Sequence, residues 1–245
     1  MSNPSRRKLI TTALAATAGA SGLAAAARFA GKHGLLPPDC GGIYGLGTSL
    51  TFAAHRLFTG DAYAREFPTS KISKAPFAKV RPFKIAAYDR MRADNFVDWR
   101  VEVDGMVARL SSFSVADLKR LPSRTQITQL TCEEGWSYIA EWIGTPVSHL
   151  LNAAGILPQA RYIVYYSIQK NWIQSIDLHD ALHPQTLLTY AMNGADLPMG
   201  HGGPVRLSIP RQLGYKNVKY INRLTLTDSI EGLHKIGAYS WYAGI

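Results

Sequence analysis

From Trp99 to the C-terminus the chain is cut into short apolar runs that switch between two periodicities, and this limits the folds open to it. Trp99-Arg100-Val101-Glu102-Val103 alternates apolar and polar residues, the pattern of a strand with one buried face. Asp104-Gly105 then predicts a hairpin turn, with Met106 to Leu110 as the returning strand. Ser114-Val115-Ala116-Asp117 has the shape of a capping box with Asp in place of Glu. It opens a short helix to Leu121, which Pro122 stops. Gln126 to Thr131 reads as a strand, and Val147 to Ala154 places apolar residues at helical spacing before Gly155. Tyr162 to Tyr166 is a buried strand. Leu187 to Met192, the turn Asn193-Gly194 and Val205 to Ile209 suggest another sheet, and Leu224 to Thr227 alternates once more. Both kinds of element are short and do not follow a regular βαβ order. The expected fold class is therefore α+β, mixed sheets with short helices.

The first thirty residues are of a different kind. Arg6-Arg7-Lys8 precedes an uncharged, mildly hydrophobic run from Leu9 to Ala27, rich in Ala, Thr, Gly and Ser. Adjacent arginines before such a run read as a twin-arginine export signal over residues 1–30, with cleavage sites in Ala24 to Ala27. An ordinary secretory signal or a retained anchor is the alternative, although the run is weakly apolar for a membrane span. Twin-arginine export carries folded proteins, so this address suits a chain that acquires a cofactor first and works in the periplasm. Residues 31–95 contain Pro37-Pro38 and several glycines and are expected to be an irregular segment wrapping the domain at 96–245, with a short helical turn at Thr51 to Leu57. The run Gly42-Ile43-Tyr44-Gly45-Leu46-Gly47 lacks a preceding strand and the full glycine spacing of a dinucleotide fingerprint, and is read as a loop.

The formal net charge is +10, which suits anionic ligands or an anionic membrane surface as well as general solubility. No basic tract exceeds three residues and no nucleic-acid motif is present, so nucleic acid is not an expected partner. The two cysteines, Cys40 and Cys132, lie far apart, one in a Gly/Pro-rich leader region, and an internal disulfide between them is not expected. Cys132 itself follows a strand and precedes Glu133-Glu134-Gly135-Trp136. Packing thiol, nucleophile and metal ligand are all open to it; a thiolate suits a soft metal centre. Glu133 and Glu134 point to opposite faces if extended, which argues against a paired acid and base. His179-Asp180-Ala181-Leu182-His183 has zincin-like spacing, but Pro184 ends the helix at once and no third ligand is suggested. His201-Gly202-Gly203-Pro204-Val205-Arg206 followed by Gly214-Tyr215-Lys216-Asn217-Val218-Lys219-Tyr220 joins fixed cations to a glycine turn, a suitable cradle for a phosphate or an ordinary basic loop.

Taken together, Thr131 to Ser137, Trp142 to Pro146, His183 to Leu188, Asn193-Gly194, His201 to Leu207 and Gly214 to Tyr220 resemble the sulfite-oxidase family of molybdopterin enzymes, in that family's order over residues 95–230. Within it the chain is most similar to exported catalytic subunits of the protein-methionine-sulfoxide reductase type. The resemblance implies a sulfite-oxidase-type fold and a molybdenum-molybdopterin cofactor, with Cys132 as the protein thiolate on the metal. It implies further that Ser167 and His201 contact the pterin, that Arg206 meets the cofactor phosphate, and that Asn217, Val218 and Lys219 close over both. Oxygen-atom transfer, reduction of an S-oxide and a membrane cytochrome b-type redox partner are the expected activity, reaction and electron source. Sulfite oxidases follow the ligand cysteine with arginines, whereas this chain has Glu133-Glu134, which counts against sulfite dehydrogenation. A metal-free secreted binding domain on the same fold is the other alternative. The reductase's N-terminal pterin-binding asparagine has no match between residues 40 and 95.

Overall fold

A computed structural model describes residues 45–78 and 84–230, together with residues 22, 25–26, 28–30, 35 and 244. The Arg6-Arg7 pair, Cys40 and the segment 42–44 lie outside them. The chain divides into two compact units, residues 1–60 and 61–245. In the first, helix α1 spans Gly45–Thr59. It is longer than the turn expected at Thr51 to Leu57, and part of the glycine run read as a loop forms its first turn. No proline interrupts the apolar residues between Leu50 and Phe58, so the helix runs on to Thr59, whose Oγ1 bonds the His55 carbonyl at 2.8 Å. Among the described residues no helix is long and apolar enough to cross a membrane.

The second unit contains, in chain order, α2 (Ala86–Ala93), β1 (Arg100–Gly105), β2 (Ser111–Ser114), α3 (Val115–Arg120), β3 (Arg124–Thr131) and β4 (Ser137–Pro146). There follow α4 (Val147–Ala154), β5 (Tyr162–Ser167), β6 (Ile173–Asp177), α5 (Leu178–Leu182), β7 (Leu187–Met192), β8 (Ala195–Asp196), β9 (Arg206–Ser208) and β10 (Ile221–Thr227). These form two five-stranded sheets, β2-β1-β10-β5-β6 and β3-β4-β7-β8 with β9 beside β7. The architecture is α+β, mixed sheets with short helices, as the periodicities predict.

Alternation places Val101 and Val103 of β1 in the core and leaves Arg100 and Glu102 exposed. The hairpin expected at Asp104-Gly105 is not formed by residues 106–110. β1 pairs in parallel with β10 and antiparallel with β2, so the returning strand begins only at Ser111. Gly105 sits at φ +80°, and a Cβ there would lie 2.2 Å from the Leu226 carbonyl oxygen. Beyond it the backbone leaves β2: Met106 N–H bonds Leu226, and Ala108 and Arg109 N–H bond Gly155 and Ala154, the end of α4. The capping box forms as read, with Asp117 N–H donating to Ser114 Oγ and Ser114 N–H donating to the Asp117 carboxylate.

The main core lies between the first sheet, α2, α4 and β7 to β9, and includes Leu150, Leu151, Ile163, Leu188, Leu207 and Leu224. Tyr88 of α2 packs edge-on against Trp99 and Tyr220 and donates a hydrogen bond to the Gly203 carbonyl at 2.7 Å. A smaller cluster, Leu130, Tyr138, Ala140, Trp142, Met192 and Leu197, fills the second sheet near its β3–β4 end. The segment before α2 lies along that sheet: Glu66 bridges Thr128, and Phe67 and Ser73 N–H bond the Ile127 and Ile139 carbonyls.

Candidate functional site

Cys132 follows the last residue of β3, where a tight turn leads into β4. Its N–H bonds the Trp136 carbonyl at 2.9 Å and its carbonyl accepts from Gly135 N–H at 3.1 Å. The turn places the thiol in an open cleft that it shares with Arg206, Asn217, Lys219 and several aromatic side chains. The turn that begins at Gly214 lines the same cleft. A Cβ on Gly214 would lie 3.2 Å from the Cys132 Cα, so that turn rests directly on the cysteine backbone. The thiol is 8% exposed and contacts a Glu133 carboxylate oxygen at 3.3 Å. Burial pushes the thiol up to about 11, and the Glu133 and Glu134 carboxylates add to the shift, against a backbone hydrogen bond at Glu134. In the free protein this sulfur is a protonated thiol; a bound metal reverses that preference.

Arg206 enters the same cleft from β9 and is 1% exposed. Its guanidinium donates to the His201 carbonyl at 2.9 Å and the Asn217 carbonyl at 2.8 Å and lies 5.1 Å from the Trp142 ring centroid. Among the described residues no carboxylate pairs with it. Lys219 lines the cleft as well, with Nζ donating to the Gly200 carbonyl at 2.6 Å. Burial, with the Arg206 charge next in size, pulls the Lys219 ammonium down to about 7. Two cations thus share one wall, and a bound anion lowers the cost of holding both. Asn217 lines the cleft, but its side chain is occupied in shaping the loop: Oδ1 accepts from Ile209 N–H at 2.6 Å, and Nδ2 donates to the carbonyls of Ile209, Gln212 and Leu213.

The other sequence-derived residues stand further back. His201 touches the cleft through Tyr138, whose hydroxyl is 3.3 Å from Nδ1. Burial, then Arg206 and Lys219, lower its imidazole to about 4. Ser167 ends β5; its hydroxyl accepts from Gln169 N–H at 3.1 Å, and Gln169 rather than Ser167 lines the cleft. Val218 is packed in the main core, and its carbonyl accepts from Leu207 N–H. The structure therefore gathers Cys132, Arg206, Asn217 and Lys219, places His201 one contact away, and sets Ser167 and Val218 behind the wall. Tyr138, Trp172, Tyr215 and Tyr220 also line the cleft. Tyr215 and Tyr220 lie in the basic glycine run already read as an anion cradle, without a role of their own; Tyr138 is marked only by standing two residues from Trp136, and nothing local marks Trp172.

The zincin-like run forms no such site. α5 ends at Leu182, and Asp177 caps it by accepting from Asp180 N–H at 2.8 Å. Asp177, His179 and Asp180 approach one another, yet Asp180 already accepts from Gln212 Nε2 at 2.6 Å and faces Arg211 at 3.3 Å. His183 is buried away from His179's exposed face.

One thiol and two cations, the buried Arg206 and the half-buried Lys219, lining the same cleft fit an anionic, metal-bearing group held by one protein sulfur. Residues 88–233 match the oxidoreductase molybdopterin binding domain. The chain belongs to that family, the family of the sulfite oxidases, and is a molybdopterin-dependent oxidoreductase. It is 36% identical over 192 residues to the YedZ1 protein of Azospira oryzae, provisionally named as a protein-methionine-sulfoxide reductase subunit, covering 77% of this chain and 70% of that one. It is 30% identical over 145 residues to the protein-methionine-sulfoxide reductase catalytic subunit MsrP of Ralstonia nicotianae, covering 53% and 44%. The crystal structure of the sulfane dehydrogenase SoxCD from Paracoccus pantotrophus superposes with a TM-score of 0.54 at 25% identity, over 56% of this chain and 40% of that one. The chain thus spans less than half of the last two relatives.

Proposed function

We propose that this chain is an exported, periplasmic oxidoreductase that reduces an S-oxide by oxygen-atom transfer, with electrons from a membrane cytochrome b-type subunit. The observation that carries this reading is the placement of Cys132 in one cleft with Arg206, Asn217 and Lys219. When bound, molybdenum-molybdopterin supplies oxygen-atom transfer coupled to electron uptake. Cys132 holds the metal as a thiolate. Arg206 and Lys219 hold the anionic tail by charge-assisted hydrogen bonds. Asn217 and Val218 keep the loop between them in shape, His201 and Tyr138 would contact the pterin, and Ser167 would brace the strand end behind the cleft. In the net reaction the S–O bond breaks, sulfur keeps the electron pair, and oxygen leaves as water after gaining two protons and two electrons.

Glu133 and Glu134 favour this reaction over sulfite dehydrogenation, because two carboxylates at the cleft oppose a small oxyanion. Both names of the sequence relatives point to methionine sulfoxide. The test is elemental analysis of native protein from a molybdenum-replete host, with one molybdenum per chain expected and none in Cys132→Ala. Assays with methionine sulfoxide and with sulfite then fix the reaction. Folded native protein that contains no molybdenum would overturn the assignment.

A further inference from the structure

The cleft is lined by charges of both signs: the buried Arg206 and half-buried Lys219, and Glu133 and Glu134 on the turn beside the thiol. The acidic side is also aromatic. Phe77, 52% exposed, meets the Trp136 ring at 4.8 Å between centroids, and Trp136 stacks on Tyr138 at 6.1 Å with the planes 4° apart. Glu134 accepts a hydrogen bond from Trp136 Nε1 at 3.1 Å, which couples carboxylate and ring. Glu134 is exposed, while Glu133 is half-buried against the cysteine sulfur. Cofactor anions suit Arg206 and Lys219, which leaves the acidic, aromatic turn to the substrate. Carboxylates beside aromatic faces attract cations and repel anions.

Resting on the S-oxide reading above, we propose that the lip formed by Glu133, Glu134, Trp136 and Phe77 selects S-oxides carrying positive charge near the sulfur, such as oxidised methionine flanked by Lys or Arg in a peptide. Arg206 and Lys219 fix the anionic end of the cofactor, and the lip presents a site of the opposite sign. Substrates with flanking carboxylates meet two like charges at the entrance. Discrimination then arises mainly in KM, because the lip acts on approach and docking rather than on the sulfur itself.

The test uses molybdenum-loaded full-length protein, a reduced viologen dye as electron donor, and three blocked peptides of equal length. Each holds one methionine sulfoxide, flanked by Lys, Gln or Glu. The expected kcat/KM ratio of the Lys peptide to the Glu peptide is about tenfold at low salt, the order set by one or two partly screened charge contacts. It contracts towards one as salt rises. In Glu134→Gln and in Glu133→Gln the ratio falls by about threefold each; being a ratio, it cancels any change in metal loading or overall rate. Turnover of all three peptides with a ratio near one at low salt, or a ratio unmoved by both substitutions, overturns the lip and leaves the S-oxide reading standing. If a molybdenum-loaded protein reduces none of the peptides, the S-oxide reading fails and the lip proposal fails with it.

Discussion

The two sheets bury different chemistry. In the sheet β2-β1-β10-β5-β6 the buried side chains are apolar or aromatic except for Ser175, and they join one continuous core with α2 and α4. In the sheet of β3, β4, β7 and β9 the buried set includes Gln126, Thr128, Thr145, Thr189, Arg206 and Ser208. These polar groups are hydrogen-bonded to specific partners. Gln126 Nε2 donates to the Gln185 carbonyl at 3.0 Å, Thr145 Oγ1 to the Leu118 carbonyl at 2.7 Å, and Thr189 Oγ1 to Ser208 Oγ at 3.0 Å. Apolar burial is strong but non-directional, whereas a buried hydrogen bond tolerates little displacement. Burial in the first sheet is therefore almost wholly apolar, while the second adds to its apolar burial the hydrogen bonds that orient the elements carrying Cys132 and Arg206.

That division is broken most directly by Ile163→Ala on β5, where the side chain is fully buried in the first sheet. The expected cost is about 2–5 kcal/mol in urea unfolding, from lost burial and the cavity left behind. Molybdenum per folded chain is expected to stay at the native value. A metal content that falls in step with stability, under conditions where the variant is still folded, would show that the two sheets do not divide the work.

Arg206→Met sharpens the same comparison from the other side. Two carbonyls, those of His201 and Asn217, lose their donor, which costs about 1–3 kcal/mol. Relief from burying a cation that no described carboxylate pairs offsets part of this, so the net loss is smaller than for Ile163→Ala. Cofactor content behaves in the opposite way and is expected to drop about tenfold or more, because the guanidinium is the most buried positive charge in the cleft. Molybdenum retention after gel filtration measures it. Native retention in Arg206→Met would remove Arg206 from the anion site.

Sequence patterning reached three strands in each sheet, β1, β5 and β10 in the first and β3, β7 and β9 in the second. Val101 and Val103 alternate with charged residues, and the strand is legible from β1 alone. β4 was not read as a strand, because in Tyr138-Ile139-Ala140-Glu141-Trp142-Ile143 only Glu141 breaks an otherwise apolar run and no alternation shows, although the structure buries only the Tyr138, Ala140 and Trp142 side fully. The departure of residues 106–110 from β2 depends on Leu226 and Gly155, far away in the chain, and nothing local announces it. The site shows the same split. Cys132 and Arg206 stood out by residue type and by resemblance. The retreat of Val218 into the core and of Ser167 behind Gln169 follows from β5 and β10 packing that spacing cannot encode.

The smallest expected effect tests whether a polar group of the second sheet's loops can be part of the foundation. His183 caps α5 from a position 6% exposed, and its Nδ1 accepts from Gln185 N–H at 3.2 Å. That bond requires the neutral ring with its proton on Nε2. Burial, with the Arg211 charge next, lowers the imidazole from 6.5 to about 4; Asp180 opposes the shift, and His179 and Arg124 reinforce it. In the unfolded chain the ring takes up a proton near its ordinary value, while in the fold it does not. Between about pH 6.5 and 4 the unfolded state therefore holds more protons, and stability falls as pH falls, by at most about 1.4 kcal/mol per pH unit for one group. His201, also lowered to about 4, contributes a second slope of the same sign. Urea midpoints at pH 7 and pH 5 are expected to differ less in His183→Gln than in native protein, with the residual difference left to His201 and to Lys216 and Lys219, which burial lowers to about 7. Cofactor content at pH 7 should not follow this substitution, since His183 packs against Tyr63 and Gln185 rather than lining the cleft. An undiminished pH slope would mean that His183 is protonated in the fold, and its hydrogen bond to Gln185 would have to be redrawn.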